Sequence, residues 1–484
     1  MPILNKNCVE YAVLAALAMN ANLSRVSYFD RKHYFYPDSP SGYQITQKNS
    51  PIGLNGRLTY MWYDSKKEEN IKSHCNISCI QIENDTGKTV QDDVNKEAFI
   101  DLNRTGVPLI EIVTEPNFNS ADQVIGFLEE LQCLLRQYEV SSCIMAHGQM
   151  RVDVNINMID EEKLGFAHER VELKNLNSIL DVGKVIDCEI DRQRREVESG
   201  KAIVKQTRYF DSLKNETYFL REKDSLLDYR YIQEPNLPPI RTLEKCGKCN
   251  SDTSLPNHNS YICLGCMVKK YPILNLKEEQ RTNKLRPILV EKMFLSLKNA
   301  QPILWYPDIA ILFMKTYQSI IDKKEKISSK VFFRRGSFEE TASKEIYFWI
   351  TSSALSVYKK KNAKSFNFDS EKFSEFIILC LTGKIHGRNA FELFNDISAN
   401  KIPSGSLEEY AISKNILLIT DADFIRKVCH DVVKENQNFV KKYHSKKNGS
   451  KLLKKIQTLV HEKVDNLSPG HVKIISEEVL TNTK

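Results

Sequence analysis

The sequence has no long apolar run and none of the short motifs that mark the common nucleotide-binding and hydrolytic sites. The apolar stretch VEYAVLAALAMNANL is shorter than the ~20 residues that a membrane-spanning helix needs, and it contains Glu10. It therefore predicts a buried helix. A Gly-rich phosphate loop, a G-x-G-x-x-G turn, a G-x-S-x-G elbow and an H-E-x-x-H pair are all absent. If the chain uses ATP, it binds it without the usual phosphate loop.

The chain also lacks the sequence features of a secreted or a strongly basic protein. Its first residues, MPILNKNCVEYAV, show neither a secretory apolar region nor an Arg-rich presequence. Six of its 12 cysteines are scattered singly and six fall in three closely spaced pairs, and with no secretory segment this argues against a disulfide framework. A net charge of +7 over 484 residues permits a polyanionic partner without requiring one. The 41% share of hydrophobic residues can fill buried cores, and the length predicts about three domains.

The pattern of apolar residues divides the chain into an α+β part and a helical part. Within residues 1–240, residues 8–22 and the segments SADQVIGFLEELQCLLRQYEV and ILDVGKVIDCEIDRQRREVESG predict helices among short strands. EPNLPPI then marks a boundary, because prolines break helices and sheets. The sequence thus predicts a mixed-sheet α+β domain, a small four-cysteine zinc-like patch at 241–275, a helical domain at 276–402 and a helical tail at 403–484.

The cysteine-rich patch contains two C-x-x-C pairs separated by thirteen residues. The four cysteines are Cys246, Cys249, Cys263 and Cys266. This spacing is what four thiolates need to surround Zn²⁺ tetrahedrally, and a shell of four sulfurs leaves no open position. The pattern therefore predicts a structural zinc site. The alternative is four unrelated reduced thiols.

Acidic residues interrupt several apolar, strand-like segments, and basic residues lie near them. The acidic and amide residues are Glu83, Asp85, Glu111, Glu115, Asp153 and Asn155, and the basic ones are Lys88, Arg104, Arg151 and Lys174. Carboxylates on several strands could converge and bind Mg²⁺, which prefers oxygen ligands, while the cations hold phosphate oxygens. The alternative for each residue is the solvent face of a strand. Glu111, inside the apolar run PLIEIV, poses this question most directly.

Several sequence blocks resemble, in order, the signature blocks of the B subunit of glutamyl-tRNA(Gln) amidotransferase, the GatB family. They are FDRKHYFYPDSPSGYQITQ, DLNRTGVPLIEIVTEP, RVDVNINM, ELKNLNS and LDYRYIQEPNLPP. Downstream, LTGKIHGRNAFELF resembles the helical-domain motif of this family. Residues 405–484 resemble its YqeY-like tRNA-binding tail. The resemblance extends over nearly the whole chain.

The resemblance implies an ATP-dependent ligase component that needs Mg²⁺. In this family the γ-carboxylate of Glu-tRNA(Gln) is phosphorylated by ATP, and ammonia released from glutamine displaces the phosphate to give Gln-tRNA(Gln). The implied partners are the tRNA, the amidase (A) subunit of the amidotransferase complex, and its small third subunit. The implied location is the mitochondrion, with the bacterial cytoplasm or a plastid as alternatives.

The resemblance also assigns roles to residues of this chain. The catalytic residues are Glu111, Asp153 and Lys174; the ATP-binding ones are Lys88, Arg104 and Arg151; the Mg²⁺ ligands are Glu83, Glu111 and Glu115. In the tail, lysines cluster in KKYHSKKNGSKLLKKIQ, opposite an apolar helix side formed by Leu452, Leu453 and Ile456. The predicted tRNA-binding residues are Lys446, Lys447, Lys451, Lys454 and Lys455. The alternative is a solvated helix surface.

The chain departs from the family pattern in four places. Members of the family normally have an N-terminal strand with a Glu-x-His pair, and this chain begins at a block that resembles the one following that strand. Gln81 stands where a histidine is usual, Ala146 and His147 replace an acidic pair, and the four-cysteine patch is an addition. These departures leave open an alternative, a catalytically degenerate, zinc-stapled tRNA-binding scaffold. The intact EIVTEP, RVDVN and ELKNLNS blocks favour the enzyme.

Overall fold

The computed structural model forms two compact units, residues 1–286 and 287–484. The residues that it describes are 4–92, 94–160, 166–174, 176–211, 214–222, 229–249, 261–275, 281–331, 336–355, 368–402, 405–437, 449–464 and 466–482. Among these residues, no helix has both the length and the apolar character required to cross a membrane.

The first unit mixes helices with sheets, as the sequence predicts. Its α-helices are α1 Lys6–Ala18, α2 Ala121–Gln137, α3 Ile179–Glu198, α4 Leu264–Lys270 and α5 Thr282–Pro287, and Met145–His147 and Pro272–Asn275 form short 3-10 helices. Its strands are β1 Asn22–Leu23, β2 Val26–Ser27, β3 Asp30–His33, β4 Tyr43–Thr46, β5 Gly53–Asp64, β6 Glu69–Asn84, β7 Lys88–Asp92, β8 Glu97–Asp101, β9 Pro108–Thr114, β10 Val154–Ile156, β11 Ile159–Asp160, β12 Phe166–Ala167, β13 Val171–Lys174, β14 Gln206–Asp211, β15 Glu216–Glu222, β16 Ile232–Gln233, β17 Ile240–Leu243 and β18 Ile262–Cys263.

Two four-stranded sheets and the helices between them build the core of the first unit. One sheet has the order β1-β5-β6-β9 with antiparallel neighbours, and the other has the order β10-β13-β14-β15 with β13 and β14 parallel. Apolar residues of both sheets and of α1, α2 and α3 form one cluster, which includes Ile80, Leu131, Leu173 and Val182. The core therefore joins the strands that carry Glu83 and Glu111 to those near Asp153.

The helix boundaries follow from local chemistry. Ser120 and Ser178 accept hydrogen bonds from the backbone N–H groups of the first turns of α2 and α3, as N-caps do. Gly200, at φ +75°, follows the end of α3, a position where glycine is common because it adopts the left-handed conformation without strain. The predicted helix 8–22 is wrong at its end. Asn20 adopts a left-handed φ of 53°, and this ends α1, so that residues 22–23 form β1 instead.

The second unit is helical apart from an isolated bridge between Ile419 and Leu467, as far as its described residues show. Its α-helices are α6 Leu297–Leu304, α7 Pro307–Asp322, α8 Lys324–Ile327, α9 Phe338–Trp349, α10 Ser370–Leu381, α11 Gly387–Ser398, α12 Leu407–Ser413, α13 Ala422–Glu435, α14 Gly449–Lys463 and α15 Pro469–Asn482. Aromatic rings of Trp349, Phe376 and Phe394 pack together in its middle part. The helices α13, α14 and α15 share a separate apolar cluster.

Candidate active site and metal centre

Two glutamates from neighbouring strands meet on one face of the first sheet. Gln81 and Glu83 lie two residues apart on β6, so they point the same way, and β9 sets Glu111 directly opposite Gln81. The side-chain amide of Gln81 donates to Glu83 Oε1 at 3.4 Å and, by a short hydrogen bond, to Glu111 Oε2. The alternating residues Ile80 and Ile82 are buried in the core. Because side chains alternate along the strand, the polar groups lie on the face opposite the core.

The electrostatics of this pair show why it suits a cation. Burial, followed by the charge of Glu111, raises the pKa of Glu83 from 4.5 to about 7. A hydrogen bond from Thr46 Oγ1 to Glu83 Oε1, 2.8 Å long, and the charge of Lys32 act in the opposite direction. Two carboxylates this close resist simultaneous ionisation, and a divalent cation that prefers oxygen ligands relieves their repulsion. Glu111 itself is exposed, so it is not a buried carboxylate even though its neighbours in the sequence are apolar.

Sequence reasoning missed several residues of this group. Gln44 donates to Glu83 Oε2 at 3.3 Å and to the carbonyl oxygen of Asn84 at 2.8 Å. Burial raises the pKa of Tyr231, and the nearby charges of Glu83 and Glu111 add to the effect. Gln44 and Thr46 are two residues apart in the block GYQITQ, and this spacing indicates that both side chains lie on the same face of a strand. Their approach to β6 is a long-range contact that no local pattern reveals.

Asp85 forms ion pairs with two of the predicted phosphate-binding cations. Its Oδ2 lies 2.8 Å from Arg104 Nη2 and 2.9 Å from Arg151 Nη2. The Asp85 side chain is buried, whereas both arginine side chains are about half exposed. One carboxylate holds two guanidinium groups, so the cluster keeps an excess positive charge at the surface. Such fixed, planar donors are suited to phosphate oxygens.

Asp153 and Lys174 form an ion pair on the second sheet. Their Oδ2 and Nζ atoms are 2.7 Å apart, and Glu172 lies 3.8 Å from the same Nζ. Thr207 Oγ1 donates to Glu172 at 2.9 Å. No hydrogen bond or ion pair among the described side chains links Asp153 or Lys174 to Glu83 or Glu111. The ion pair of Asp85 with Arg151 nevertheless joins the two segments, because each partner lies two residues from one of these acids.

Two other predicted residues make no hydrogen bond or ion pair with these groups among the described side chains. Glu115 follows Glu111 by four residues, which is about 13 Å along an extended strand. Its backbone N–H donates to Asn76 at the strand end. No described hydrogen bond or ion pair joins Glu115 to Glu83 or Glu111, but burial and then the charges of Glu111, Glu115 and Glu83 raise the pKa of Cys79, so Glu115 as a Mg²⁺ ligand stays a prediction. Lys88 lies on β7, opposite Asp101 in the β7–β8 hairpin.

The four cysteines of the two C-x-x-C pairs converge. Their sulfur atoms all lie within 4.8 Å of one another, and three of the separations are 3.4, 3.5 and 3.8 Å. Sulfurs bound tetrahedrally to Zn²⁺ at about 2.3 Å are about 3.8 Å apart, whereas a disulfide would need about 2.05 Å. Burial raises the pKa of Cys246, but hydrogen bonds from the backbone N–H groups of Cys249 and Lys248 lower it to about 6. This donor set fits a structural zinc ion.

The cysteine patch contacts helix α1 and strand β2. β17 pairs with β2 on one side and with β18 on the other. Lys270 Nζ lies 2.5 Å from Glu10 Oε2 on α1, and the hydroxyl of Tyr271 donates to the same oxygen at 2.7 Å. Ile262 and Met267 belong to the core of the first unit. The patch is therefore packed as part of the α+β unit.

The tail lysines fall on an exposed helix face. Lys451, Lys454 and Lys455 are exposed on α14, whereas Ile456 and Val460 of the same helix are fully buried. This two-sidedness agrees with the sequence pattern. The other predicted residues, Lys446 and Lys447, lie outside the described residues.

Comparisons with known proteins agree with these features. Residues 1–247 match the family described as the GatB/GatE catalytic domain, and residues 333–466 match one described as the GatB domain. The mitochondrial glutamyl-tRNA(Gln) amidotransferase B subunit of Danio rerio is 31% identical over 99% of this chain and 81% of its own length. The Homo sapiens protein of the same name is 45% identical over 50% of this chain and 43% of its own length. The aspartyl/glutamyl-tRNA(Asn/Gln) amidotransferase B subunit of Lachnoclostridium phytofermentans is 30% identical over 93% and 82%, respectively.

Proposed function

Because the chain belongs to the GatB/GatE family, we propose that it is the B subunit of an amidotransferase that converts Glu-tRNA(Gln) to Gln-tRNA(Gln). In this reaction an oxygen of the γ-carboxylate attacks the terminal phosphorus of ATP and ADP leaves. Ammonia then attacks the acyl carbon and inorganic phosphate leaves. Phosphorylation is needed because a free carboxylate is a poor acyl donor.

One observation carries this proposal: Glu83, which pairs with Glu111 through Gln81, lies two residues along the chain from Asp85, which holds Arg104 and Arg151. The pair offers oxygen ligands, and the arginines offer positive charge for phosphate oxygens. Mg²⁺ held by Glu83 and Glu111 would neutralise charge on the transferring phosphoryl group. Phosphoryl transfer depends mainly on positioning and charge stabilisation, so the site needs no nucleophile of its own.

The remaining residues have supporting roles in the proposal. Gln81 and Thr46 hold the two carboxylates in place through the hydrogen bonds that they donate. Lys174, paired with Asp153 on the second sheet, would orient the acyl phosphate from the other side, because Arg151 ties that segment to Asp85. No described contact favours the degenerate scaffold.

The wider assignments follow from the same family relation. The partners that we propose are an amidase subunit, a small third subunit, and the tRNA. We also propose a mitochondrial location and a structural zinc ion on the four cysteines. The exposed lysines of α14 would contact tRNA phosphates, which fix position but carry no sequence information. Identity of the tRNA would then be read elsewhere.

The decisive experiment is Glu111→Gln in the full chain with its partner subunits. We expect ATP hydrolysis that depends on Glu-tRNA to be lost, because a ligand oxygen and its charge are removed, while tRNA affinity is kept. Glu69→Gln is the matched control, since that exposed residue lies at the other end of β6 and has no assigned role. Unchanged ATP turnover in Glu111→Gln would refute the assignment of the site.

A further inference from the structure

The β7–β8 hairpin is a two-stranded ribbon with apolar side chains on both faces. Its register sets Val90 opposite Phe99 and Thr89 opposite Ile100, and no further strand pairs with it among the described residues. Opposite residues share a face and successive residues alternate, so Val90 and Phe99 lie on one face and Ile100 lies on the other. The face of Val90 and Phe99 also carries the charged pairs Lys88–Asp101 and Asp92–Glu97, so this apolar pair has a charged border.

These apolar side chains are largely open to solvent. Phe99 is 56% exposed, and Val94, at the turn, is 89% exposed. Val90 and Ile100 are about half exposed as well. A two-stranded ribbon is only marginally stable alone in water, and clustered exposed apolar residues mark interaction surfaces. We call Val90, Val94, Phe99 and Ile100 the hairpin surface.

The base of the hairpin is anchored beside the candidate active site. The backbone N–H of Gly87 donates to the carbonyl oxygen of Asp38 at 2.9 Å, and Thr89 Oγ1 donates to the carboxylate of Asp38 at 2.9 Å. Asp85 precedes the hairpin and Arg104 follows it, and these two residues form an ion pair. Whatever covers the hairpin surface therefore sits next to the phosphate-binding cluster.

The charge of the hairpin selects the kind of partner. Residues 88–101 contain two basic residues, Lys88 and Lys96, and four acidic ones, Asp92, Asp93, Glu97 and Asp101, which gives a net charge of −2. A phosphate backbone would be repelled by this excess, since nucleic acid binding relies on neutralising phosphates with lysine and arginine. An apolar surface with an acidic rim is instead suited to a protein.

We propose that the hairpin surface is the docking site for the ammonia-supplying subunit of the complex, which would present an apolar groove with a basic rim. This inference rests on the proposed function. Ammonia released into solvent would become protonated and diluted, so its source has to be held close to the acyl phosphate. The hairpin surface, anchored between Asp85 and Arg104, is where that subunit would meet this chain.

The test compares Val90→Ser/Phe99→Ser with Phe219→Ser in the full chain. Phe219, on β15, is 54% exposed and serves as a matched control. We expect the hairpin variant to lose at least about tenfold in affinity for the ammonia-supplying subunit. It should lose glutamine-driven product formation at limiting partner concentration, yet keep product formation driven by added ammonium chloride. The control should keep both. Val94→Ser, outside the strands, should weaken association without disturbing strand pairing.

Three results would overturn the docking site. These are unchanged partner affinity in both hairpin variants, weakened tRNA binding with intact partner binding, and a dimer of this chain that only the hairpin variants abolish. A wild-type complex that forms no product from either nitrogen source would refute the proposed function instead. The affinity measurement would still decide the docking site.

Discussion

Glu83→Gln should make the metal-free protein more stable at high pH while it removes activity. Burial and the neighbouring Glu111 raise the pKa of Glu83 from 4.5 to about 7. A raised pKa means that the folded protein holds the proton more tightly than the unfolded chain does. The resulting stabilisation is complete below pH 4.5, decreases above it and is lost once the pH has risen through about 7. Glutamine, which never ionises, has no such loss.

The expected magnitude follows from the pKa. A difference of one pKa unit corresponds to about 1.4 kcal/mol, so a rise from 4.5 to about 7 corresponds to about 3 kcal/mol. Water screens part of this cost at a face that is only partly buried. We therefore expect the free energy of unfolding of Glu83→Gln to exceed that of the wild type by about 2 kcal/mol near pH 8. The difference should nearly vanish near pH 4.5.

Urea unfolding with a chelator present, followed by circular dichroism at both pH values, measures this difference. Adding Mg²⁺ near pH 8 should stabilise the wild type more than the variant, because the variant lacks one ligand charge. Glu69→Gln is the control and should follow the wild type at both pH values. A difference between Glu83→Gln and the wild type that is the same at both pH values would refute the electrostatic reasoning.

Three further outcomes are expected. Arg286 and Glu130 form an ion pair with both side chains almost fully buried. Arg286→Met should cost about 3–5 kcal/mol in urea unfolding, and Glu130→Gln in the same chain should recover much of it; a loss under about 1 kcal/mol would contradict this. Purified protein should contain one zinc ion by metal analysis, and Cys263→Ser should release it and lower Tm; zinc-free wild-type protein would exclude the site. Lys451→Ala/Lys454→Ala should reduce the salt dependence of tRNA binding by about 0.7–0.9 per lysine in log–log slope, whereas an unchanged slope would remove α14 from the interface.

Local patterns predicted the parts of the site that depend on neighbours in the chain. The alternation around Glu83 and Glu111 is a property of single strands, and the two cysteine pairs follow a fixed spacing, so both features could be read from the sequence. The N-cap at Ser120 and the glycine after α3 were predictable for the same reason. The end of α1 was not, because a left-handed asparagine has only a weak signature.

Features that depend on distant segments were not predictable from the sequence. Gln44 and Thr46 reach Glu83 because β4 lies close to β6 in the fold, and no periodicity in the sequence encodes that contact. The pairing of both arginines with Asp85 is likewise a tertiary contact. Sequence proximity alone likewise does not decide whether Glu115 joins Glu111, because four residues of extended chain span about 13 Å.

The contact of Lys270 and Tyr271 with Glu10 has a consequence for synthesis of the chain. These partners are separated by 260 and 261 positions. Helix α1 is translated before the cysteine patch, so it gains these two partners only after the patch has been made. At about 5–20 residues per second, the wait is on the order of ten seconds to a minute. During that interval Glu10 lacks both of these partners, so α1 reaches its final set of contacts only late in the synthesis of this unit.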